Sequence, residues 1–561
     1  MSISDVDHVV PYPAEAVARY RADGLWQGRS LSDSLVDACL AHGPRIALVT
    51  PEVRWTYSDL AAQVDSFAAG IETATDLMPG DRIMFQMGNT AETVVAYLGS
   101  LRAGLVPVCT LAQHGAREVG LLAGHVGARA LLTQGDFGGG RLLEVARGLV
   151  ADGSIETAIV ARTEPFDGAV GYDQIQSAGR GVVPSTVTPT LTDVAVFQLS
   201  GGTTGLPKVA PRLHEEYVYN SRAWAQALGW TSDTVVLYPL PLMHNAGIAL
   251  ALQPVLLSGA SIVLAPGADI DGMLDLIAAE RPTSLPLVPP AVAIRLLDHP
   301  RTSSADLTSI TQFVVGGQKL PGEVAHRLRD ELNMPLRQMF GMAEGMFYLT
   351  PPDASDDIVL DTVGAPISPL DEARVVDPLT GKDVPAGELG ELWMRGPYTI
   401  RGYYRAPEHN AAAFSDDGFY RSGDLGRRHH IDGVDYFSVD GRIKDVINRG
   451  VEKIHAEEVE ELILRNLDVE SAAVVSMPDP VLGERACAFL VMRKGAEPFT
   501  VASLGEHLAS HGLAKYKFPE RVEIRDSLPL SNVGKLSRKD LRDEVSRLLE
   551  AESVSHSHAD A

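Results

Sequence analysis

The first 440 residues alternate short apolar runs with longer stretches of helical spacing, and this alternation restricts the fold more than any other feature. "RIMFQM", "VPVCT", "ALLT", "TAIVA", "TVVLYPLP", "ASIVLA" and "QFVVGG" are the short runs; "AETVVAYLGSLRAG" and "GEVAHRLRDEL" are typical of what lies between them. Short apolar runs bounded by turn signals suit strands buried on both faces, and amphipathic stretches suit the helices that cover them. The pattern predicts α/β layers with largely parallel sheets. Ligands in such layers sit in loops beyond the carboxyl ends of strands. At 561 residues the chain is too long for one core and fits several packing units.

The texture changes twice. From about 365 to 440, "DEARVVDPLTGKDVPAGELGELWMRGPYTIRGYY" and its continuation read as a small β-rich unit attached to the large N-terminal domain, 1–440. After "VDGRIKDVINRG" come a helix ("HAEEVEELILRN"), strands ("SAAVVSMP", "ACAFLVMR") and a helix ("VASLGEHLASHG"), which predicts a small α+β C-terminal domain over 441–545. The segment 546–561 ends in "SVSHSHADA" and is expected to be disordered.

Composition removes several classes of function. A formal net charge of −25 disfavours a broad nucleic-acid surface, which needs clustered Lys and Arg. Cys39, Cys109 and Cys487 are scattered and odd in number, against a disulfide framework or zinc site and in keeping with a reducing cytoplasm. No apolar run is long enough for a membrane helix, and the N-terminus lacks a secretory pattern.

"LSGGTTGLPK" (199–208) follows the apolar "VAVFQLS". Its glycines let backbone N–H groups approach a phosphate, Ser200, Thr203 and Thr204 offer hydroxyls, and Lys208 adds a charge. It is not the P-loop pattern, because Pro207 precedes the lysine and Val209 follows it. A bare Gly/Ser/Thr loop fits a mobile surface turn equally well; the preceding strand and the Pro-Lys end favour a phosphate cradle.

With four further motifs, the loop resembles the acyl- and aryl-adenylate-forming superfamily. These are "MFGMAEG" (339–345), "YRSGDLGRR" (420–428), "DGRIKDVINRGVEKIHAEEVE" (440–460) and "LPLSNVGKLSRKDLR" (528–542). The resemblance implies attack of a carboxylate on the α-phosphate of ATP, with Mg²⁺, followed by transfer of the acyl group to a thiol. It implies that Ser200, Gly201, Gly202, Thr203, Thr204, Gly205 and Lys208 hold the β- and γ-phosphates. Glu344 would hold Mg²⁺, Asp424 and Arg442 would meet the ribose, and Gly316, Gly317, Gly341, Met342, Ala343 and Lys444 would line the adenylate and acid. Ala343 stands where many relatives carry Thr, so one hydroxyl contact to the phosphate is missing. Lys535 would bridge acid and α-phosphate, Asp440 would be the hinge on which the C-terminal domain turns between half-reactions, and Gly450 would sit beside a pantetheine channel.

"PLPLMHNAGIAL" (239–250), "GPYTIRGYYRAPEHNAAAF" and "HGLAKYKFPERVE" narrow the resemblance to aryl-acid ligases acting on 2,3-dihydroxybenzoate or salicylate. His244 is common to the superfamily; Asn245 can pair with an ortho hydroxyl or amino group. The pocket departs from that pattern. Ala246 and Gly247 replace an aromatic and a proline and are expected to leave room that Phe347 partly fills. Leu250 stands where a partner for a 3-hydroxyl is expected, and a buried unpaired hydroxyl costs about 1–3 kcal/mol. Salicylate is therefore favoured, with 3-hydroxyanthranilate next and 2,3-dihydroxybenzoate behind. Phe197, Met243 and Met346 are further candidate walls.

The thiol acceptor implied by the resemblance would be a carrier-protein phosphopantetheine arm, expected on a separate protein, or free coenzyme A. A fatty acyl-CoA ligase is disfavoured by Asn245. A non-catalytic nucleotide-binding scaffold would be expected to lack Lys535, Asp424 or Glu344, and all three are present.

Overall fold

A computed structural model describes residues 8–200, 207–450, 452–530 and 536–559. The predicted α/β layering is present. A seven-stranded sheet runs Ala169–Gly171, Thr157–Ala161, Ala128–Gln134, Arg82–Gln86, Val106–Val108, Val194–Ser200, Lys208–Leu213. All its pairs are parallel except the last. A nine-stranded sheet is built around Val235–Tyr238, Ser284–Val288, Gln312–Gly316 and Leu336–Gly341, and ends in the antiparallel strands Phe347–Leu349 and Ala365–Pro366.

One continuous core fills the space between these two sheets. It takes Ile83 and Phe85 from one sheet, Val236 and Tyr238 from the other, and side chains of the helices Tyr57–Ala74, Ala91–Arg102 and His214–Ala227. Alternate residues face outward: Met84 joins the cluster under Ala116–Val126 and Arg141–Ala151, and Leu237 joins the one under Ile270–Glu280 and Pro290–Asp298. Period-two alternation with both faces buried is what turns these strands into near-continuous apolar runs in the sequence. Helix starts are marked locally. Thr56 accepts from the Asp59 N–H, and Asp59 accepts in return from the Thr56 N–H.

The β-rich unit is a four-stranded antiparallel sheet, Glu372–Val376, Gly390–Arg395, Tyr420–Ile431 and Val434–Arg442. Asp440 lies inside the last of these strands, beside a register shift at Leu425/Gly426. A five-stranded sheet follows, centred on the long pair Val469–Asp479 and Gly483–Met492. The C-terminal unit that carries this sheet meets the large domain through Lys319–Glu461 (2.7 Å) and Arg493–Asp298 (3.4 Å).

The tail differs from the sequence expectation. A helix runs from Arg538 to Ala559, so 546 is not the end of an element. Leu541 and Val545 seat it on Val475 and Phe489, Leu549 packs against the same cluster, and Arg521 bonds Glu552 at 2.8 Å. The i, i+4, i+8 spacing of the three apolar residues puts them on one face, by which the helix is seated.

Candidate active site

The site is built on the turn Met342–Gly345, which follows the strand Leu336–Gly341. The turn is closed by the Gly345 N–H on the Met342 carbonyl (3.2 Å) and by the Ile400 N–H on the Glu344 carbonyl (2.8 Å). Gly345 has φ +106°, and a Cβ there would lie 1.9 Å from the Tyr398 carbonyl oxygen, so no other residue fits.

The Glu344 side chain is thereby held in the interior. Its Oε1 accepts from Ser200 Oγ (2.5 Å), from the Tyr403 hydroxyl and, at 3.4 Å, from the Tyr420 hydroxyl. Lys208 Nζ lies 4.9 Å from the centre of the Tyr403 ring. Burial lowers the Lys208 ammonium below its ordinary range; the Glu344 charge works against that shift and Arg442 adds to it. One carboxylate, three hydroxyls and one partly desolvated ammonium thus converge at the end of the strand Val194–Ser200.

Asp424 and Arg442 are directly opposed across the strands Tyr420–Ile431 and Val434–Arg442, and their side chains pair at 2.8 Å. The Asp424 carboxylate is buried while Arg442 is half exposed. The Asp424 charge raises the guanidinium. Both act on the Tyr420 phenol, as does Glu344, so the Asp424–Arg442 pair and the Glu344 carboxylate share one neighbourhood. Lys444 joins it: burial lowers its ammonium, Arg442 lowers it further and Asp445 opposes.

On the other side of the turn, the carbonyl of Met342 receives Asn245 Nδ2 at 3.5 Å, and Asn245 Oδ1 accepts from the Tyr217 hydroxyl at 3.1 Å. Phe347 is buried against Trp224 (ring centres 5.6 Å) and Tyr398 (5.8 Å). Trp224 in turn donates to the Leu250 carbonyl (3.1 Å). Trp224 thus links the Phe347 ring to the Leu250 backbone. His244 turns its Nδ1 to accept from the Ala246 N–H (3.2 Å). Gly316 ends the strand Gln312–Gly316 and Gly317 follows it, and Gly341 leaves room for the Phe347 ring.

Three expectations are corrected here. Gly247 does not open space for a substrate: a Cβ there would lie 2.2 Å from the Leu242 carbonyl oxygen, so its small size serves the tight chain path into the π-helical turn Gly247–Leu252. Phe197 faces the opposite side of its strand, where it packs on Tyr404 (4.7 Å) and lines a separate cavity of about 170 Å³ with Tyr12 and Glu216. Its neighbour Gln198 is the residue that faces the site, donating to the Tyr217 hydroxyl at 3.0 Å. Met346 likewise turns away from Phe347, into the cluster of the β-rich unit.

Gly201, Gly202, Thr203, Thr204 and Gly205, and Lys535, lie outside the described residues. Gly450 has φ +64°, and its N–H meets the Leu482 carbonyl at 2.7 Å. The Asp440 carboxylate accepts from Ser438 Oγ (3.0 Å) and faces Arg427 at 3.3 Å.

Sequence reasoning missed Gln198, Arg212, Tyr217, Tyr403 and Tyr420. Arg212 is fully buried. It bonds Glu216 (2.9 and 2.8 Å), donates to the Ala343 carbonyl (3.0 Å) and lies 4.3 Å over the Tyr217 ring. The one signal in the sequence was a charged pair at i, i+4 bounding an apolar strand and helix.

No group of three or more His, Cys, Asp and Glu side chains that could hold a metal ion occurs among the described residues. Glu344 alone, ringed by hydroxyls, fits a cation whose other ligands are substrate phosphates and water, the habit of Mg²⁺. No helix among the described residues is long and apolar enough to cross a membrane.

Layered α/β sheets, a small C-terminal sheet, a carboxylate at a strand-end turn and a buried Asp–Arg pair are the parts of a nucleotide-dependent ligase. The chain belongs to the AMP-binding enzyme family, which it matches over residues 35–404, with the AMP-binding enzyme C-terminal domain over 458–535. It is 41% identical to the salicylyl-CoA synthase / salicylate adenylyltransferase of a Streptomyces species, over 96% of this chain and 97% of that one. It is 38% identical to the 2,3-dihydroxybenzoate-AMP ligase of Bacillus subtilis, over 96% and 98%. Among solved structures, the apo structure of Mycobacterium smegmatis MbtA superimposes with a TM-score of 0.73 at 36% identity, covering 96% of this chain and 99% of that one.

Proposed function

We propose that the protein activates an ortho-substituted benzoic acid, salicylate before others, as its AMP ester and then passes the aryl group to a thiol. The observation that carries this reading is Asn245: a buried carboxamide fixed beside the Met342–Glu344 turn, from which the chain runs directly into the buried ring of Phe347. A buried amide needs a polar partner, and a flat aromatic wall needs a flat ligand. A fatty acid supplies neither. Relatives that act on salicylate and on 2,3-dihydroxybenzoate support the aryl acid; Leu250, which brings no side-chain hydrogen-bonding group, supports salicylate over its 3-hydroxy analogue.

In the first half-reaction an oxygen of the acid carboxylate attacks the α-phosphorus of ATP; the bond to the bridging oxygen breaks and pyrophosphate leaves. The Asp424–Arg442 pair orients the ribose, and Lys208, with Ser200 and the loop 201–205, meets the departing phosphates. Glu344 would hold Mg²⁺, which neutralises charge on the phosphate oxygens when bound. Lys535 would bridge carboxylate and α-phosphate. In the second half-reaction a thiolate attacks the acyl carbon and AMP leaves with its phosphate oxygen. Rotation of the C-terminal domain about Asp440 would exchange Lys535 for the Gly450 hairpin between the two steps. The thiol belongs to a carrier protein's phosphopantetheine arm or to coenzyme A.

The test is acid-dependent ATP–pyrophosphate exchange with salicylate, 2,3-dihydroxybenzoate, 3-hydroxyanthranilate, benzoate and a medium-chain fatty acid. The highest kcat/KM is expected with salicylate. Exchange with the fatty acid alone would overturn the aryl-acid reading, and exchange with none would overturn adenylation of this class of acid.

A further inference from the structure

We propose that Tyr217 is a positioning residue that locks the Asn245 carboxamide with its N–H edge toward the acid, so that the site selects an ortho oxygen and rejects an ortho amino group. The inference rests on the aryl-acid reading and adds the sign of the ortho contact.

The polarity of the chain of hydrogen bonds follows from what each end can do. The Met342 carbonyl only accepts, so the Asn245 atom that faces it must be the amide nitrogen, and Oδ1 is turned to Tyr217. The Tyr217 hydroxyl therefore donates to Asn245, and its oxygen accepts from Gln198 Nε2 at 3.0 Å. Gln198 Nε2 also lies 3.3 Å from Cys109 Sγ. Burial holds the Tyr217 phenol protonated far above neutral pH, so its single proton stays available to Asn245. The ring itself is clamped from above by the Arg212 guanidinium at 4.3 Å. A flipped Asn245 amide would set Oδ1 against the Met342 carbonyl, two acceptors with no proton between them.

The ligand side follows from ring chemistry. In salicylate the ortho hydroxyl gives its proton to the neighbouring carboxylate, so its oxygen presents lone pairs outward. In anthranilate one N–H goes to the carboxylate and the other points outward, while the nitrogen lone pair is delocalised into the ring. An N–H edge of Asn245 meets an acceptor in the first case and a second donor in the second. A site built to bond one of two such groups leaves its own buried polar atom unpaired with the other.

The experiment measures kcat/KM for pyrophosphate exchange with salicylate and with anthranilate in the wild-type enzyme, Tyr217→Phe and Asn245→Asp. Wild type is expected to prefer salicylate by about 10–100-fold. Tyr217→Phe keeps the ring under Arg212 and frees the amide to rotate. The salicylate:anthranilate ratio is expected to fall about tenfold or more, chiefly through a higher KM for salicylate. Asn245→Asp presents only acceptors while ionised and is expected to reverse the preference. A purely structural role for Tyr217 would lower both acids equally, and an unchanged ratio in Tyr217→Phe would overturn the proposal. If Tyr217→Phe does not fold, a salicylate preference retained in Asn245→Asp overturns it as well. Failure of every benzoate to support exchange would sink the aryl-acid reading itself, an outcome distinct from benzoate activity with an unmoved ratio.

Discussion

Replacing Arg212 by Met tests whether this side chain holds both the core and the catalytic turn. Arg212 is fully buried with Glu216, whose carboxylate also accepts from the Leu213 N–H at 2.8 Å. Burial raises the Glu216 carboxyl, and the Arg212 charge works against that shift. Without Arg212, the buried acid must take up a proton. At pH 7, holding a carboxyl neutral against an ordinary value of 4.5 costs about 2.5 units at 1.36 kcal/mol each, roughly 3.4 kcal/mol. That agrees with the ~3–5 kcal/mol found when one partner of a buried pair is removed. The sign of the pH dependence is fixed. In the variant the folded state holds a proton that the unfolded state releases above 4.5, so the penalty is absent below that pH and grows by about 1.36 kcal/mol per unit above it.

Urea unfolding at pH 5, 6, 7 and 8, read by fluorescence of the buried Trp224 on the same helix, measures that slope directly. Adding Glu216→Gln should flatten it and recover about 3 kcal/mol at pH 7. Pyrophosphate exchange should stay depressed in the double variant, because the Ala343 and Tyr398 carbonyls, which receive Arg212 at 3.0 and 3.1 Å, remain without their donor. A loss under about 1 kcal/mol at pH 7, or a pH-independent loss, would refute the reasoning; recovery of exchange in the double variant would detach Arg212 from the turn.

Three further outcomes are expected. Burial pushes the Asp371 carboxyl up to about 8, so its contribution to stability is full below its ordinary 3.8 and lost as pH rises toward 8; Asp371→Asn should flatten the fall in Tm measured between pH 5.5 and 8.5. Leu250→Ser supplies a hydroxyl at the wall and should raise kcat/KM for 2,3-dihydroxybenzoate relative to salicylate by about tenfold in the exchange assay, an unchanged ratio placing Leu250 outside the acid pocket. Asp440→Pro stiffens the proposed hinge; it should leave pyrophosphate exchange within about threefold and lower thiol transfer about tenfold or more, and two unimpaired half-reactions would remove the need for rotation there.

What was readable in the chain is what local order carries. Buried strands announce themselves because Ile83, Met84 and Phe85 are apolar whichever face they point to. For the same reason the direction of each side chain is hidden. Phe197 and Gln198 are adjacent, and an apolar run gives no reason to prefer one parity over the other. The structure sends the phenylalanine to the outer cluster and the glutamine to Tyr217. Glu344, Asp424, Arg442 and Asn245 could be singled out because each sits in a short motif that resembles one of the family's. Their supports were not, because the partners are far apart in the chain: Tyr403 and Tyr420 reach Glu344 from 59 and 76 residues away, and Tyr217 reaches Asn245 across 28.

Gly247 shows the opposite error. A small residue beside a recognised pocket motif invites the inference of free space, yet smallness is equally the mark of a backbone passing close by, and the Leu242 carbonyl at 2.2 Å decides the matter. The Phe347 wall then cannot be understood as filling a gap left at Gly247. It is set by its own strand, whose Phe347 N–H donates to the Tyr398 hydroxyl at 3.0 Å, and that hydroxyl donates to Asp371 at 2.9 Å. Asp371 comes from the β-rich unit and Phe347 from the nine-stranded sheet. The position of the aromatic wall is therefore coupled to the packing of one unit on the other, a dependence that neither stretch of sequence displays by itself.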